Sequence, residues 1–285
     1  MKKSISYWSF YGCEDGSKDV FEAMQEAKDM GYEGIELAVW HEGVFTLDTP
    51  MSKVREFRRY AEDIGLEIAC IASAMFWKYN FTHPDKENNK KAFDIVNYLV
   101  EAAAEAGTRS TLFVPGGVDV YHNPEIPVVQ YDVAYDRIVS ALQKLSEKAK
   151  AYDVVLGVEN ANVFNKILLS PLEMKKMIED VDSEYVGVYF DVANVMSTGY
   201  PEHWIRILGK HIKTIHIKDY KRDFLRVDAF VDLFEGDINW QEVMDALKDI
   251  EYDGHLVLEM YPPFAWFNEV RLKAASEAMD KIMSL

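Results

Sequence analysis

Four short apolar runs in the second half of the chain each close on a residue of the kind that binds metal ions. VVLGVEN carries Glu159, VGVYFD ends at Asp191, IKTIH ends at His216 and LVLEM carries Glu259. Runs of this length and β-branched content read as strands of a parallel sheet, buried on both faces. Parallel β/α scaffolds gather functional groups at the C-terminal ends of their strands, where these four side chains fall. The two-residue period of a strand tests the arrangement. If the four acceptors point inward, Gly157, Gly187, Tyr189, Thr214 and Val257 share the interior. The alternate positions, Val158, Val188, Phe190, Ile215 and Leu258, then face the helices, and all are apolar as that side demands.

The rest of the chain repeats the unit. The run Ser4 to Trp8 precedes Val20, Phe21, Met24 and Ala27 at helical spacing, with a stop at Gly31. GIELAV (34–39) precedes a helix through Val54, Phe57, Ala61 and Ile64, closed by Gly65. EIACIAS (67–73) precedes a helix from near Asp85 to Gly107, and STLFVP (110–115) one over about 131–151. After the fifth strand (154–160), Ser170, Pro171 and Glu173 supply N-cap, N1 and N3 of a capping box. A short helix opens at Pro201, Asn239 in EGDINW caps another, and a terminal helix from about Asn268 follows the eighth strand, 255–261. Eight β/α units in 285 residues, 49% of them hydrophobic, with no low-complexity break, predict an α/β fold: a single-domain (β/α)8 TIM barrel over 1–285. A doubly wound open sheet is the alternative. It carries a glycine-rich phosphate loop after its first strand, and YGCEDGS does not match that pattern.

Three carboxylates and an imidazole suit one hard or borderline divalent ion, Mn2+ first, with Mg2+, Co2+ or Zn2+ as alternatives. Clustered without a cation, the carboxylates would repel one another. A single strand-end Asp or Glu is more often a helix cap or loop hydrogen-bonder. Four in phase on the last four strands reverse that expectation. The net charge of −17, spread along the chain, argues against nucleic acid and anionic lipid as partners. No run is long enough for a membrane span, and MKKSISYWSF lacks the apolar stretch of a signal peptide, so neither membrane attachment nor targeting is expected. Cys13 and Cys70 are too few for a disulfide framework and fit a reducing, cytoplasmic setting.

The blocks V-E-N, F-D-V-A-N, H-I-K-D, E-G-D-I-N-W and L-E-M resemble those of the xylose-isomerase-like sugar phosphate isomerase/epimerase superfamily over essentially the whole chain. They are most similar to the L-ribulose-5-phosphate and L-xylulose-5-phosphate 3-epimerases. The resemblance implies a TIM barrel that binds one divalent metal through Glu159, Asp191, His216 and Glu259. It also implies that Glu159 and Glu259 act from opposite faces of a ketose as the catalytic pair, one as base and the other as acid. A proton between a polarised carbonyl and a neighbouring hydroxyl is acidified because the enediolate is stabilised. Its return from the other face inverts C3, and its return to the adjacent carbon isomerises the sugar. The partner implied is a small-molecule sugar or sugar phosphate. Against the free-ketose 3-epimerases the chain departs at Asn194, where they carry His, and at Asn165, where they carry a second Glu. Phe234 also stands first in a block usually written G-E-G.

The loop after the seventh strand holds Lys218, Lys221, Arg222 and Arg226 against Asp219 and Asp223, a positive excess that suits a phosphate. The competing reading is a Lys218–Asp219 pair amid solvated charges. Asn194, Lys218, Arg222, Arg226, Trp8, Glu36 and Asn165 are the candidate substrate-binding residues, and Glu36 is also placed to orient His216. Trp8, Phe76, Trp77, Phe81 and Trp266 are candidate apolar walls for sugar C–H faces. His83 and His122 follow strands from which they can reach the site, whereas His41, His203, His211 and His255 read as structural or exposed. The other readings are an inosose dehydratase-like or hydroxypyruvate isomerase-like enzyme and, outside enzymes, a metal- or sugar-binding barrel without activity. Apurinic endonucleases share the barrel but need a basic face that this chain lacks. Self-association into a homo-oligomer is compatible with the sequence.

Overall fold

The computed structural model describes residues 1–119, 125–222 and 229–285. Its strands are β1 (Lys2–Ser6), β2 (Gly34–Val39), β3 (Glu67–Ser73), β4 (Ser110–Phe113), β5 (Val155–Glu159), β6 (Val186–Asp191), β7 (Ile212–Ile217), β8 (Asp219–Tyr220), β9 (Phe230–Val231) and β10 (His255–Leu258). All but β8 and β9 pair in parallel and close a barrel in the order β1-β10-β7-β6-β5-β4-β3-β2. The helices are α1 (Val20–Asp29), α2 (Met51–Ile64), α3 (Lys86–Ala106), α4 (Tyr131–Tyr152), α5 (Asn162–Asn165), α6 (Pro171–Val181), α7 (Pro201–Leu208), α8 (Trp240–Asp249) and α9 (Asn268–Met283). This is the expected (β/α)8 arrangement. The added parts are α5 and the antiparallel β8–β9 hairpin after β7.

Local chemistry sets the helix limits. Asp19, Asp85 and Asn239 accept backbone hydrogen bonds at the starts of α1, α3 and α8. At α6, Ser170 accepts from Glu173 N, but Glu173 Oε2 accepts from Leu169 N at 2.8 Å rather than from Ser170, so the return half of the box lands one residue upstream. β1 and β10 end before their apolar runs do. β1 stops at Ser6, whose Oγ accepts from Trp8 N and turns 7–9 into a 3-10 turn. β10 stops at Leu258, because Met260 N donates to Ser9 Oγ.

The barrel wall has two unlike faces. Val158, Val188, Phe190, Ile215 and Leu258 are fully buried beneath the helices, each contributing about 1.5–3 kcal/mol if wholly removed from water. The interior instead carries polar pairs. Ser110 Oγ meets Thr214 Oγ1 at 2.7 Å, Ser4 Oγ meets His255 Nδ1 at 2.7 Å, and Ser6 Oγ donates to Glu36 Oε1 at 2.7 Å. Paired in this way, buried polar atoms avoid the cost of unmet hydrogen bonds.

Candidate metal centre

The V-E-N and F-D-V-A-N blocks form one device. Asn160, just past β5, accepts from Asp191 N at 2.6 Å and donates to Asp191 O at 2.9 Å, clamping the ends of β5 and β6 together. Asp191 Oδ1 accepts from Ala193 N at 2.8 Å and Asn194 N at 2.9 Å, which turns the chain out of β6 and leaves Oδ2 for the interior. Asp191 is in register with His216 on β7, and Glu259 follows β10 with its N donating to Ile217 O. Glu159, Asp191 and His216 are buried and present ligand atoms within 4.8 Å of one another. Glu259 Oε2 stands 3.5 Å from His216 Nδ1.

His216 is aimed from behind. Its Nε2 lies 3.2 and 3.3 Å from the two oxygens of Glu36, which also accepts from Ser6 Oγ and, in a short hydrogen bond, from the Tyr189 hydroxyl. A Cβ at position 157 would lie 3.1 Å from Tyr189 Cβ and 2.8 Å from Thr111 O, so Gly157 leaves the room that this tyrosine uses. In the neutral ring, Glu36 keeps the proton on Nε2 and leaves Nδ1 as the ligand atom. Nδ1 is buried and has no hydrogen-bond partner. That atom, with carboxylate oxygens converging on it, fits a hard or borderline divalent cation.

The electrostatics are those of crowded acids. Burial, then the charge of Glu259, pushes the Glu159 carboxyl above the usual carboxylate range. Burial would lower His216, but Glu36 and Glu259 outweigh it and hold the imidazole at about 9. Burial would likewise raise Glu259, yet the Lys218 ammonium, then His216, brings it down. Lys218 Nζ lies 2.6 Å from Glu259 Oε2 and 2.8 Å from Asp191 Oδ2, and these carboxylates keep it charged despite its burial.

A cavity of about 400 Å³ opens above the four acceptors, within the size range of small-molecule sites. Glu159, Glu259, Asn194, Lys218 and Trp8 line it, joined by Trp40, Trp77, Phe164, Phe230 and Tyr261. Among the described residues lining it, Lys218 is the only cation. The indole nitrogens of Trp8 and Trp40 and Asn194 Oδ1 are buried without hydrogen-bond partners.

Several candidates lie elsewhere. Arg222 is committed away from the cavity, donating to Gly199 O at 2.9 Å and stacking 4.3 Å from the Tyr200 ring. Arg226 and His122 lie outside the described residues. Glu36 sits beneath the acceptors, not in the cavity wall. Asn165 is buried beside Gly117, its carbonyl accepting from Val118 N. Phe76 and Phe81 pack in the core against Phe113, and Trp266 is 81% exposed beside a separate groove near α9. Lys218 and Asp219 do not pair, since Asp219 serves the loop after β7. Sequence reasoning missed Trp40, though it shares the inward phase of Glu36 and Ala38. Phe230 carried no such signal, because the β8–β9 hairpin is what brings it over the site.

A model of the xylose isomerase-like TIM barrel family matches residues 24–282. The uncharacterized protein MJ1311 of Methanocaldococcus jannaschii is 26% identical over 195 residues, covering 68% of this chain and 64% of its own length. The D-psicose 3-epimerase of Enterocloster bolteae is 23% identical over 268 residues, 92% of this chain and 82% of that protein. Among solved structures, D-psicose 3-epimerase with D-tagatose from Clostridium cellulolyticum H10 superposes at a TM-score of 0.80. It is 16% identical, with 99% of each chain covered.

Proposed function

The chain belongs to the xylose isomerase-like TIM barrel family, and from that premise we propose that it is a divalent-metal-dependent sugar isomerase or epimerase whose reaction is ketose 3-epimerisation. The observation that carries this reading is the convergence of Glu159, Asp191 and His216 at the strand ends, with Glu259 beside them and His216 Nδ1 buried and unpartnered. Glu159, Asp191, His216 and Glu259 would hold the ion. Its contribution there is Lewis-acid polarisation of a ketose carbonyl.

The remaining chemistry falls to the chain. Glu159 and Glu259 both line the cavity and make an acid/base pair able to exchange a proton with a sugar carbon held between them. One of the two takes the proton from one face of the sugar and the other returns one from the opposite face. Asn194 lines the cavity and donates to Glu159 Oε1 at 3.3 Å, and its Oδ1 is buried without a partner. The rings of Trp8, Trp40, Trp77 and Phe230 line the cavity, where they exclude water and cover C–H faces. Named relatives include ketose 3-epimerases, which favours inversion at C3 over aldose–ketose transfer.

Protein loaded with Mn2+ and equilibrated in heavy water with free ketopentoses, ketohexoses and their phosphates provides the test. Deuterium at C3 with formation of the C3 epimer is the expected result. Loss of water instead would assign a dehydratase. No exchange with any sugar, on protein shown to bind the ion, would remove the enzymatic reading.

A further inference from the structure

We propose that Lys218 is a tethered counter-ion that competes with the divalent ion for Asp191 and Glu259, so that the chain holds its ion more weakly than the ligands alone would. The inference rests on the metal-binding part of the reading above and extends it to how tightly the ion is held.

The contest is at one atom. Asp191 Oδ1 is spent on Ala193 N and Asn194 N, so Oδ2 is the oxygen left for a cation, and Lys218 Nζ stands 2.8 Å from it. The same ammonium is 2.6 Å from Glu259 Oε2. The side chains of Lys218, Asp191 and Glu259 are 14%, 0% and 12% exposed, so solvent and salt screen these charges poorly. An ion on Asp191 Oδ2 and an ammonium on the same oxygen repel each other as near neighbours. With no ion bound, the lysine neutralises carboxylates that would otherwise push the strand ends apart.

The surroundings supply a second seat. Phe230, on the β8–β9 hairpin, has its ring centroid 4.5 Å from Nζ, so an ammonium displaced from Asp191 can remain in the cavity on an aromatic face. Lysine suits two positions better than arginine would, being a point charge on a flexible stem rather than a rigid fork. The next residue, Asp219, does not share the task, because its oxygens accept from Tyr220, Phe234 and Ile238 N and from Trp240 Nε1.

Calorimetric titration with Mn2+ of the wild-type chain, Lys218→Met and Lys218→Arg, with melting curves of each before and after the ion, tests the proposal. Lys218→Met should bind Mn2+ about tenfold or more tightly, as expected for removing one charge beside a poorly screened dication. It should melt below wild type when metal-free and gain more on loading. Lys218→Arg, which keeps the charge, should stay within a few-fold of wild type. A lysine that merely supported the ligands would give the opposite sign, so equal or weaker binding by Lys218→Met overturns the inference while leaving the metal site intact. Failure of both wild type and Lys218→Met to bind overturns the inference and the metal reading together. Binding by the variant alone supports competition in its strongest form. Should Lys218→Met not fold without the ion, Lys218→Gln takes its place in the same comparison.

Discussion

Glu36 lies under the candidate metal centre and gives nothing to the cavity, yet it decides which nitrogen of His216 faces the acids. It is fully buried and receives hydrogen bonds from Ser6, Tyr189 and His216. Glu36→Gln keeps the shape but turns one acceptor into a donor, which must face either the Tyr189 hydroxyl or His216 Nε2. The expected outcome is a fall in Mn2+ affinity of about 10–100-fold with the fold retained, read by calorimetry beside circular dichroism. The acids above it differ from Glu36 in kind, because they face the cavity. Glu159→Gln and Glu259→Gln should each lower kcat for C3 exchange by about 10²–10⁴-fold, the range for loss of a general acid or base. If both also serve as ligands, the loss will persist at saturating metal, where a purely ligating residue would be rescued.

At the scale of an element, the connection between β7 and α8 shows what a sequence discloses and what it withholds. H-I-K-D and E-G-D-I-N-W read as separate blocks, but they are two halves of one fastening. Asp219 gathers three backbone amides and an indole N–H from 220–240, and a Cβ at Gly236 would fall 2.0 Å from its Oδ1. Phe234 adopts φ 72°, the left-handed region, while its N donates to Asp219, so this chain reaches a glycine-like turn without glycine. Gly236→Ala should cost about 2–3 kcal/mol by forcing the aspartate aside. Asp219→Ala should cost roughly 3–4 kcal/mol by leaving its four donors unmet. Urea denaturation measures both. The barrel itself was legible because period-two alternation is local: Glu159, Tyr189 and Thr214 face in wherever their strands pair. Lys218 was legible only as a nearby charge. Its partner Glu259 lies 41 residues on, and no local pattern reports a pairing across the barrel mouth. Arg222 misled for the same reason, since a local charge excess carries no direction and Gly199 O, 23 residues upstream, captures its guanidinium.

For the whole molecule, these buried acids couple folding, protons and metal. His216 rises from 6.5 to about 9 on folding, and Glu159 also rises above its ordinary range, so the native state keeps protons that the unfolded chain has released. Stability falls with pH wherever the native state binds more protons, so the contribution of His216 is complete below 6.5 and is lost as pH climbs through about 9. Glu259 runs the other way. Its lowered value stabilises the fold above the ordinary carboxylate range and is lost in acid. The metal-free chain should therefore melt highest in mildly acidic buffer and progressively lower toward pH 9. Bound metal reverses that slope, because the ion takes the place of the protons on His216 and the carboxylates, and its affinity grows as they leave. The gain in melting temperature on adding Mn2+ should thus be small near pH 6 and largest near pH 9. Differential scanning calorimetry across that range checks it. A gain independent of pH would mean that the ion binds away from His216, and that the unpartnered Nδ1 has another purpose.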